Sequence, residues 1–196
     1  MTNKDDAQED QAKKWLQQIA KGNQSALEAF YQHYESRVYR YALSRLNQSF
    51  DAADTLNEVM MEVWKYADRF EGRSKVSTWL LGITHHKVYD RLRKRKRTNL
   101  EDDVDDFTNT LSDDQPVIED VMSGVDDAKM VKHCLDNLSG SHREVIHLAF
   151  FDDLHYREIA SITQIPEGTV KTRVFHAKQA LKNCLSKTMI SMRSAI

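Results

Sequence analysis

Residues 138–185 read LSGSHREVIHLAFFDDLHYREIASITQIPEGTVKTRVFHAKQALKNCL, and the middle of this stretch decides the fold. Ile159, Ala160 and Ile162 form the packing side of a short helix, Gln164-Ile165-Pro166 breaks it, and Val170 and Val174 restart an apolar face at i, i+4. Two short helices with a small residue, Ala160, at their contact and a turn of about four residues make a helix-turn-helix. The second helix of such a unit enters the major groove with its first turns towards the bases. Its outward residues include Lys171, Thr172, Phe175 and His176, which can donate to base edges or touch a thymine methyl. An ordinary αα-hairpin is the plain alternative, but Lys171, Arg173 and Lys178 gather on this helix as phosphate binding demands.

Outward from this unit the chain is equally helical in character. Among 196 residues there are only 6 Gly and 2 Pro, too few turn signals for a sheet, while Leu, Ala, Glu, Lys and Gln abound. The reading is all-α, in two small helical domains. The formal net charge of -2 hides a segregation: Lys87 to Arg97 carries seven Lys/Arg against one Asp, whereas Glu101 to Asp127 carries eleven Asp/Glu and no Lys/Arg. A basic surface thus abuts an acidic tether. The stretch 98–127 offers little apolar surface to offset ordering entropy and is expected to be a flexible acidic linker. It separates an N-terminal domain, 1–97 and ordered from about residue 19, from a C-terminal domain, 128–186, with 187–196 as a tail.

In the N-terminal domain, QHYESRVYRYALSRL (32–46) reads as a helix burying Tyr34, Val38, Tyr41 and Leu46. In DAADTLNEVMMEVWKYADRF (51–70), Leu56, Val59, Met60, Val63, Trp64 and Ala67 mark one buried face. Asp51, Asp54, Glu58 and Glu62 lie within about 80° of each other on the opposite side. Acids alone would describe a solvated face. Met61 at the edge of that stripe turns the reading towards a protein-docking surface. A third helix is expected to start near Ser77 as its cap, with Leu81, Thr84, Val88 and Leu92 inward. Gly82, His86, Tyr89 and Arg93 share another face leading into the basic run Arg91 to Arg97. Aromatic and basic groups side by side suit a surface that tracks a backbone and stacks bases.

No hydrophobic h-region opens MTNKDDAQED, and apolar runs are only a few residues long, so a signal peptide and a membrane span are not expected. A cytoplasmic location follows as an expectation, with Cys134 and Cys184 kept as thiols. His133, Cys134, His142 and His147 lack the paired spacing of a zinc site, so no metal or cofactor is expected.

The two blocks together resemble the extracytoplasmic-function sigma factors of bacterial RNA polymerase, over roughly residues 19 to 185. IAKGNQSALEAFYQHYESRVYRYA, DAADTLNEVMMEVWKYADRF and KVSTWLLGITHHKVYDRLRKRKR resemble conserved region two; LSGSHREVIHLAFFDDLHYREIA and IPEGTVKTRVFHAKQAL resemble region four. The resemblance implies a non-enzymatic subunit that binds core RNA polymerase, directs it to promoters, and is itself held by an anti-sigma factor. It places Asp51, Asp54 and Glu58, with Met61 and Glu62, on the polymerase clamp helices. Residues 70–76 and the helix to Arg93 are placed at the -10 element, with Trp79 packing that unit and His86, Tyr89, Arg93, Arg95 and Arg97 along the opened strand. Lys171, Thr172, Phe175 and His176 fall at the -35 bases, with Arg157, Thr169, Arg173 and Lys178 nearer phosphates. The acidic linker is placed towards the RNA exit channel. Three departures stand out: His86 where many relatives have Asn, Gln164 where a turn Gly is usual, and one acid fewer in Asp51-Ala52-Ala53-Asp54.

Two other classes compete. A dimeric helix-turn-helix regulator acting without polymerase explains the C-terminal block but leaves the Met-containing acidic helix unused. An enzyme would need His85-His86 or Asp102-Asp103 to converge with a nucleophile, a phosphate loop or a metal spacing, and none does.

Overall fold

The structure is a computed structural model that describes residues 2–98 and 123–193, and every regular element among them is a helix. The stretch expected to be a flexible acidic linker lies largely outside the described residues. Its two ends are corrected: α4 runs to Thr98 and α5 begins at Ser123, inside the range read as linker.

Four helices build the N-terminal half: α1 (Thr2–Ile19), α2 (Gln24–Leu46), α3 (Ser49–Tyr66) and α4 (Val76–Thr98), with a 3₁₀ turn, Ala67–Arg69, after α3. α1 is a second correction, because order was expected only from about residue 19. Its polar sequence carries few apolar residues, yet Ala12, Leu16 and Ile19, at i, i+4 and i+7, are buried and hold it on the bundle. α2 opens with the Asn23 side chain accepting from the Ala26 N–H at 3.0 Å and closes at Asn47, whose φ of 52° is left-handed. Most periodic positions read from sequence are buried, Tyr34, Val38, Tyr41 and Leu46 in α2, Leu56, Val59, Met60 and Val63 in α3, and Leu81, Thr84 and Val88 in α4, whereas Trp64 and Leu92 are half-buried at the margins of the core. Ser77 is not the cap of α4. The helix starts one residue earlier, and the Val76 N–H is met by a carboxylate from α1.

The C-terminal half contains α5 (Ser123–Asp136), α6 (Gly140–Ile146), a π-helical turn (His147–Phe151), α7 (Tyr156–Thr163) and α8 (Glu167–Arg193). α8 runs through the residues read as the start of a tail. Cys134 of α5 and Cys184 of α8 form a disulfide, with Cα atoms 5.7 Å apart, which overturns the expectation of two thiols. Their 50-residue separation hid a proximity that appears only when α5 folds back along α8.

The halves share one core. Tyr41, Ala42, Leu46, Ala52, Leu81 and Val88 of the first half pack in one cluster with Val145, Leu148, Ile159, Ile162, Val170 and Val174 of the second. Burial of these side chains on both sides, rather than a tether alone, brings α7 against α4.

Candidate nucleic-acid interface

The acidic stripe of α3 meets the basic edge of α4. Arg91 reaches Asp51 at 3.3 Å, Asp54 at 3.8 Å and Glu58 at 2.5 Å; Arg95 also pairs with Asp51; Lys87 pairs with Glu62 at 3.0 Å. Antiparallel neighbours with complementary charge every turn zip together in this way, and each of these partly exposed pairs is worth about 1 kcal/mol or less. Met61 stands clear of the ladder, 54% exposed.

α4 therefore has distinct sides. Leu81, Thr84 and Val88 face inward; Lys87, Arg91 and Arg95 turn to α3; His86, Tyr89 and Arg93 face out, with Tyr89 58% exposed. Arg93 pairs only loosely with Asp90, at 3.4 Å on an exposed surface. Of the residues read as a strand-holding track, His86, Tyr89, Arg93 and Arg97 are exposed, whereas Arg95 donates to the Leu46 carbonyl and the Gln48 side chain as well as pairing with Asp51. Trp79 is half-buried, edge-on to Phe70 with ring centroids 5.4 Å apart, so it braces the loop rather than projecting from it.

The helix-turn-helix is built as its sequence suggests. The Glu158 carboxylate accepts from the His155 N–H at 3.0 Å and fastens the start of α7. Gln164 ends α7 with φ 57°, the left-handed conformation that glycine adopts without cost. On α8, Val170, Val174 and Ala177 are buried, while Lys171, Thr172, Phe175, His176 and Lys178 are exposed and Thr169 and Arg173 half-buried. Arg157 is exposed on α7. Positive groups crowd this face: burial lowers the pKa of His142, and the nearby charges of His176 and Arg173 lower it further. Lys178 lies over the Phe150 ring, 4.7 Å from its centroid. Lys171 is tied to Glu167 at 2.8 Å, and Thr172 donates to the Gly168 carbonyl at 3.0 Å.

Sequence reasoning missed a third arrangement, the polar seam between the halves. Glu144 of α6 is buried against α2 and α4. Its Oε1 accepts from the Tyr41 hydroxyl at 2.8 Å, lies 3.0 Å from His85 Nδ1 and is 3.5 Å from Arg45 Nε. Burial alone would raise its pKa; the His85 hydrogen bond and the Arg45 charge outweigh this, and the carboxyl sits below its ordinary range. Burial, then the Glu144 charge, pushes the Tyr41 hydroxyl well up. Nearby, Asp152 is paired with Arg37 at 2.9 Å and with His147 at 3.1 Å, and Thr78 donates to Glu158 at 2.7 Å. The only available signal was a charged residue at the edge of an apolar run, Glu144 directly before Val145-Ile146, which needs a partner if the helix buries it.

His85, one of the pair weighed as an acid-base group, is thus a structural partner of Glu144 and Tyr41. The weighed zinc set is likewise dispersed, with Cys134 in the disulfide and His147 on Asp152. No helix among the described residues is long and apolar enough to cross a membrane.

Comparison with known proteins accounts for both halves. The Sigma-70 region 2 family matches residues 30–98, and the Sigma-70, region 4 family matches residues 128–181. The chain is 29% identical over 171 residues to the ECF RNA polymerase sigma factor SigK of Mycobacterium ulcerans, covering 87% of this chain and 91% of that protein. It is also 29% identical over 179 residues to SigW of Bacillus subtilis, covering 88% and 96%. Among solved structures, the sigma factor RpoE of Bartonella quintana, crystallised with the anti-sigma factor NepR, superposes with a TM-score of 0.64 at 26% identity, over 81% of this chain and 98% of that one. CnrH, in complex with the cytosolic domain of CnrY, shares the fold with the same TM-score at 21% identity, over 90% and 98%. Two region matches in this order, full-length relatives and a shared fold lead to one conclusion: the chain belongs to the extracytoplasmic-function sigma factors.

Proposed function

We propose that this protein binds core RNA polymerase in the cytoplasm and directs it to promoters by reading a -35 element with α8 and holding an opened -10 strand on α4. The carrying observation is the pairing of two open faces on one chain: His86, Tyr89 and Arg93 on α4, and Lys171, Thr172, Phe175 and His176 on α8. The first combines ring faces with positive charge, as unstacked bases require. The second offers donors and an apolar contact to the edges of paired bases, with Arg157, Thr169, Arg173 and Lys178 towards phosphates. Asp51, Asp54, Glu58, Glu62 and Met61 form the docking surface for a basic partner on the polymerase. Trp79 positions the -10 loop, Arg97 extends the track beyond Arg93, and Arg95 joins it on release from Asp51. The work is binding and positioning, with no chemistry of its own.

The shared core implies two states. Elements named -35 and -10 stand about 25 base pairs apart, roughly 85 Å at about 3.4 Å per base pair along the axis. Helices in contact, as α4 and α7 are, cannot occupy both sites at once. The closed arrangement is the form free of polymerase, and the halves separate on docking. An anti-sigma factor that held the closed form would keep the protein inactive; the sigma factor RpoE of Bartonella quintana was crystallised with such a partner, NepR.

Run-off transcription with core polymerase, with start sites mapped by sequencing, tests the proposal directly. Defined starts preceded by common -10 and -35 sequences are expected. Asp54→Lys with Glu58→Lys should abolish core binding in a pull-down, and unchanged binding would remove the docking assignment. His86→Ala with Tyr89→Ala should leave the closed complex intact and reduce permanganate reactivity of -10 thymines; stacking on such a surface is worth about 1–3 kcal/mol per base. Equal reactivity would move strand holding to another surface.

A further inference from the structure

α4 is anchored from a distant part of the chain. The first N–H groups of any helix lack intrahelical partners. In α4 the Trp79 N–H finds the Lys75 carbonyl at 3.0 Å, and the Val76 N–H, on a fully buried residue, finds the carboxylate of Glu9, 67 residues earlier in the chain. Both oxygens are engaged, Oε1 at 2.9 Å and Oε2 at 3.2 Å. The carboxylate is itself only 19% exposed, with Lys13 one turn along at 3.8 Å. A negative group at a helix N-terminus is favourable twice over, by the hydrogen bond and by the helix dipole.

The same helix supports the other end of the loop. Leu16 and Gln17 of α1, with Ala20 just after it, line a cavity whose far wall is Phe70, Glu71 and Gly72. From Glu9 to Gln17 α1 advances about 12 Å, at about 1.5 Å per residue. It therefore braces both the beginning of the 70–75 loop and its junction with α4. Gly72, at φ +72°, and its neighbours Arg73 and Ser74 have no regular structure to fix them, so where the loop ends is set by where α4 is forced to begin.

We infer that Glu9 is a positioning residue for promoter opening: by capping Val76 from α1 it fixes the start of α4, and through it the placement of the 70–75 loop and the outward rings that hold the opened strand. The inference rests on the assignment of α4 to the -10 strand. Glu9 touches no DNA in this scheme and acts through the Val76 N–H. The geometry demands a side chain of this length, because aspartate, one methylene shorter, cannot reach, whereas glutamine retains one acceptor oxygen.

The test uses the full chain with core polymerase on a promoter mapped by run-off, comparing Glu9→Ala, Glu9→Asp and Glu9→Gln. Without the cap α4 no longer starts firmly at Val76, so Ala and Asp should lower -10 thymine reactivity by about fivefold, while Gln stays within about twofold of wild type. Core binding and affinity for duplex -35 DNA should be unchanged in all three, since the hydrogen bonds and ion pair of Glu9 run to Val76 of α4 and Lys13 of α1 rather than to the acidic stripe or the reading helix. Ala12, Leu16 and Ile19 still anchor α1, and circular dichroism checks that the helix persists. Opening unaffected by every Glu9 variant overturns the inference. So does a loss of opening matched by an equal loss of core binding or helix content, or a Gln variant as poor as Ala. The His86/Tyr89 double variant, run alongside, reports separately on the α4 assignment: if it impairs opening while the Glu9 variants do not, only the positioning role falls.

Discussion

The α3–α4 seam and the seam between the two halves are both made of acids meeting bases, yet they are physically different objects. In the first, Arg91 has about a fifth of its side chain exposed, while Asp54 and Glu58 are nearly half exposed, and water and salt compete for every contact. In the second, Glu144 is 7% exposed and its partners are a buried tyrosine, a histidine and an arginine that water barely reaches. The exposed ladder contributes little to stability and remains available to exchange partners, as a docking surface must. The buried node is costly to break from one side, because removing Glu144 leaves three desolvated side chains without the carboxylate they share. One surface is suited to binding and the other to holding a conformation.

The strongest way to break this contrast is Glu144→Ala. Removing one member of a buried charged network costs about 3–5 kcal/mol, and since the lost contacts join α6 to α2 and α4, the halves should part. Urea unfolding should show the loss, and small-angle scattering should show a larger radius of gyration. A variant as compact and as stable as wild type would make the node dispensable. Reduction of Cys134–Cys184 acts inside the C-terminal half instead. Opening a cross-link of this kind typically costs about 2–4 kcal/mol, so dithiothreitol should lower the unfolding midpoint of the C-terminal half without the expansion seen for Glu144→Ala. Expansion on reduction would show that the disulfide also holds the seam.

Titration sharpens the comparison. The Glu144 pKa is lowered in the fold, so its contribution is complete above its ordinary value of 4.5 and is lost as pH falls through the lower folded value. The tyrosines act oppositely: Tyr34 is raised from 10.0 to about 12, by burial and then by Glu9, and Tyr41 is raised well above 10.0 by burial and then by Glu144. Their stabilisation is complete below pH 10 and declines as pH rises past it. Unfolding free energy followed against pH should therefore fall off on both sides, the acid limb flattening in a Glu144→Gln variant. Gln164→Gly should stabilise the protein by about 0.5–1 kcal/mol, relieving a left-handed residue at the entropic cost of a glycine. The smallest effect belongs to the exposed ladder: Lys87→Ala, which breaks the single pair with Glu62, should cost about 1 kcal/mol or less and shrink in high salt. A loss as large as that of Glu144→Ala would erase the distinction drawn between the seams.

Much of this was legible from residue spacing. The buried faces of α2, α3 and α4 follow a single 3.6-residue period, and α7, the Gln164 turn and α8 were marked by a break at Pro166 with apolar faces on either side. The outward residues of α8 were legible for the same reason. What could not be read depended on the chain meeting itself at long range. α1 is too polar to announce a helix, and its role emerges only where Glu9 meets Val76. Cys134 and Cys184 are neighbours only because α5 lies along α8. Arg95 belongs to the basic run by sequence but to Asp51 by geometry, since pattern along one helix does not say which helix lies beside it.

Arg91 gathers Asp51, Asp54 and Glu58 on one guanidinium, and this has an evolutionary corollary. A cation shared among three acids makes each acid individually expendable: when one drifts to a neutral residue, the remaining two still fix the arginine and the α3–α4 geometry survives. The stripe can therefore vary in response to a changing partner without threatening the architecture that carries it. Such redundancy also means that one-at-a-time substitution scans across these positions will under-report what the group accomplishes together.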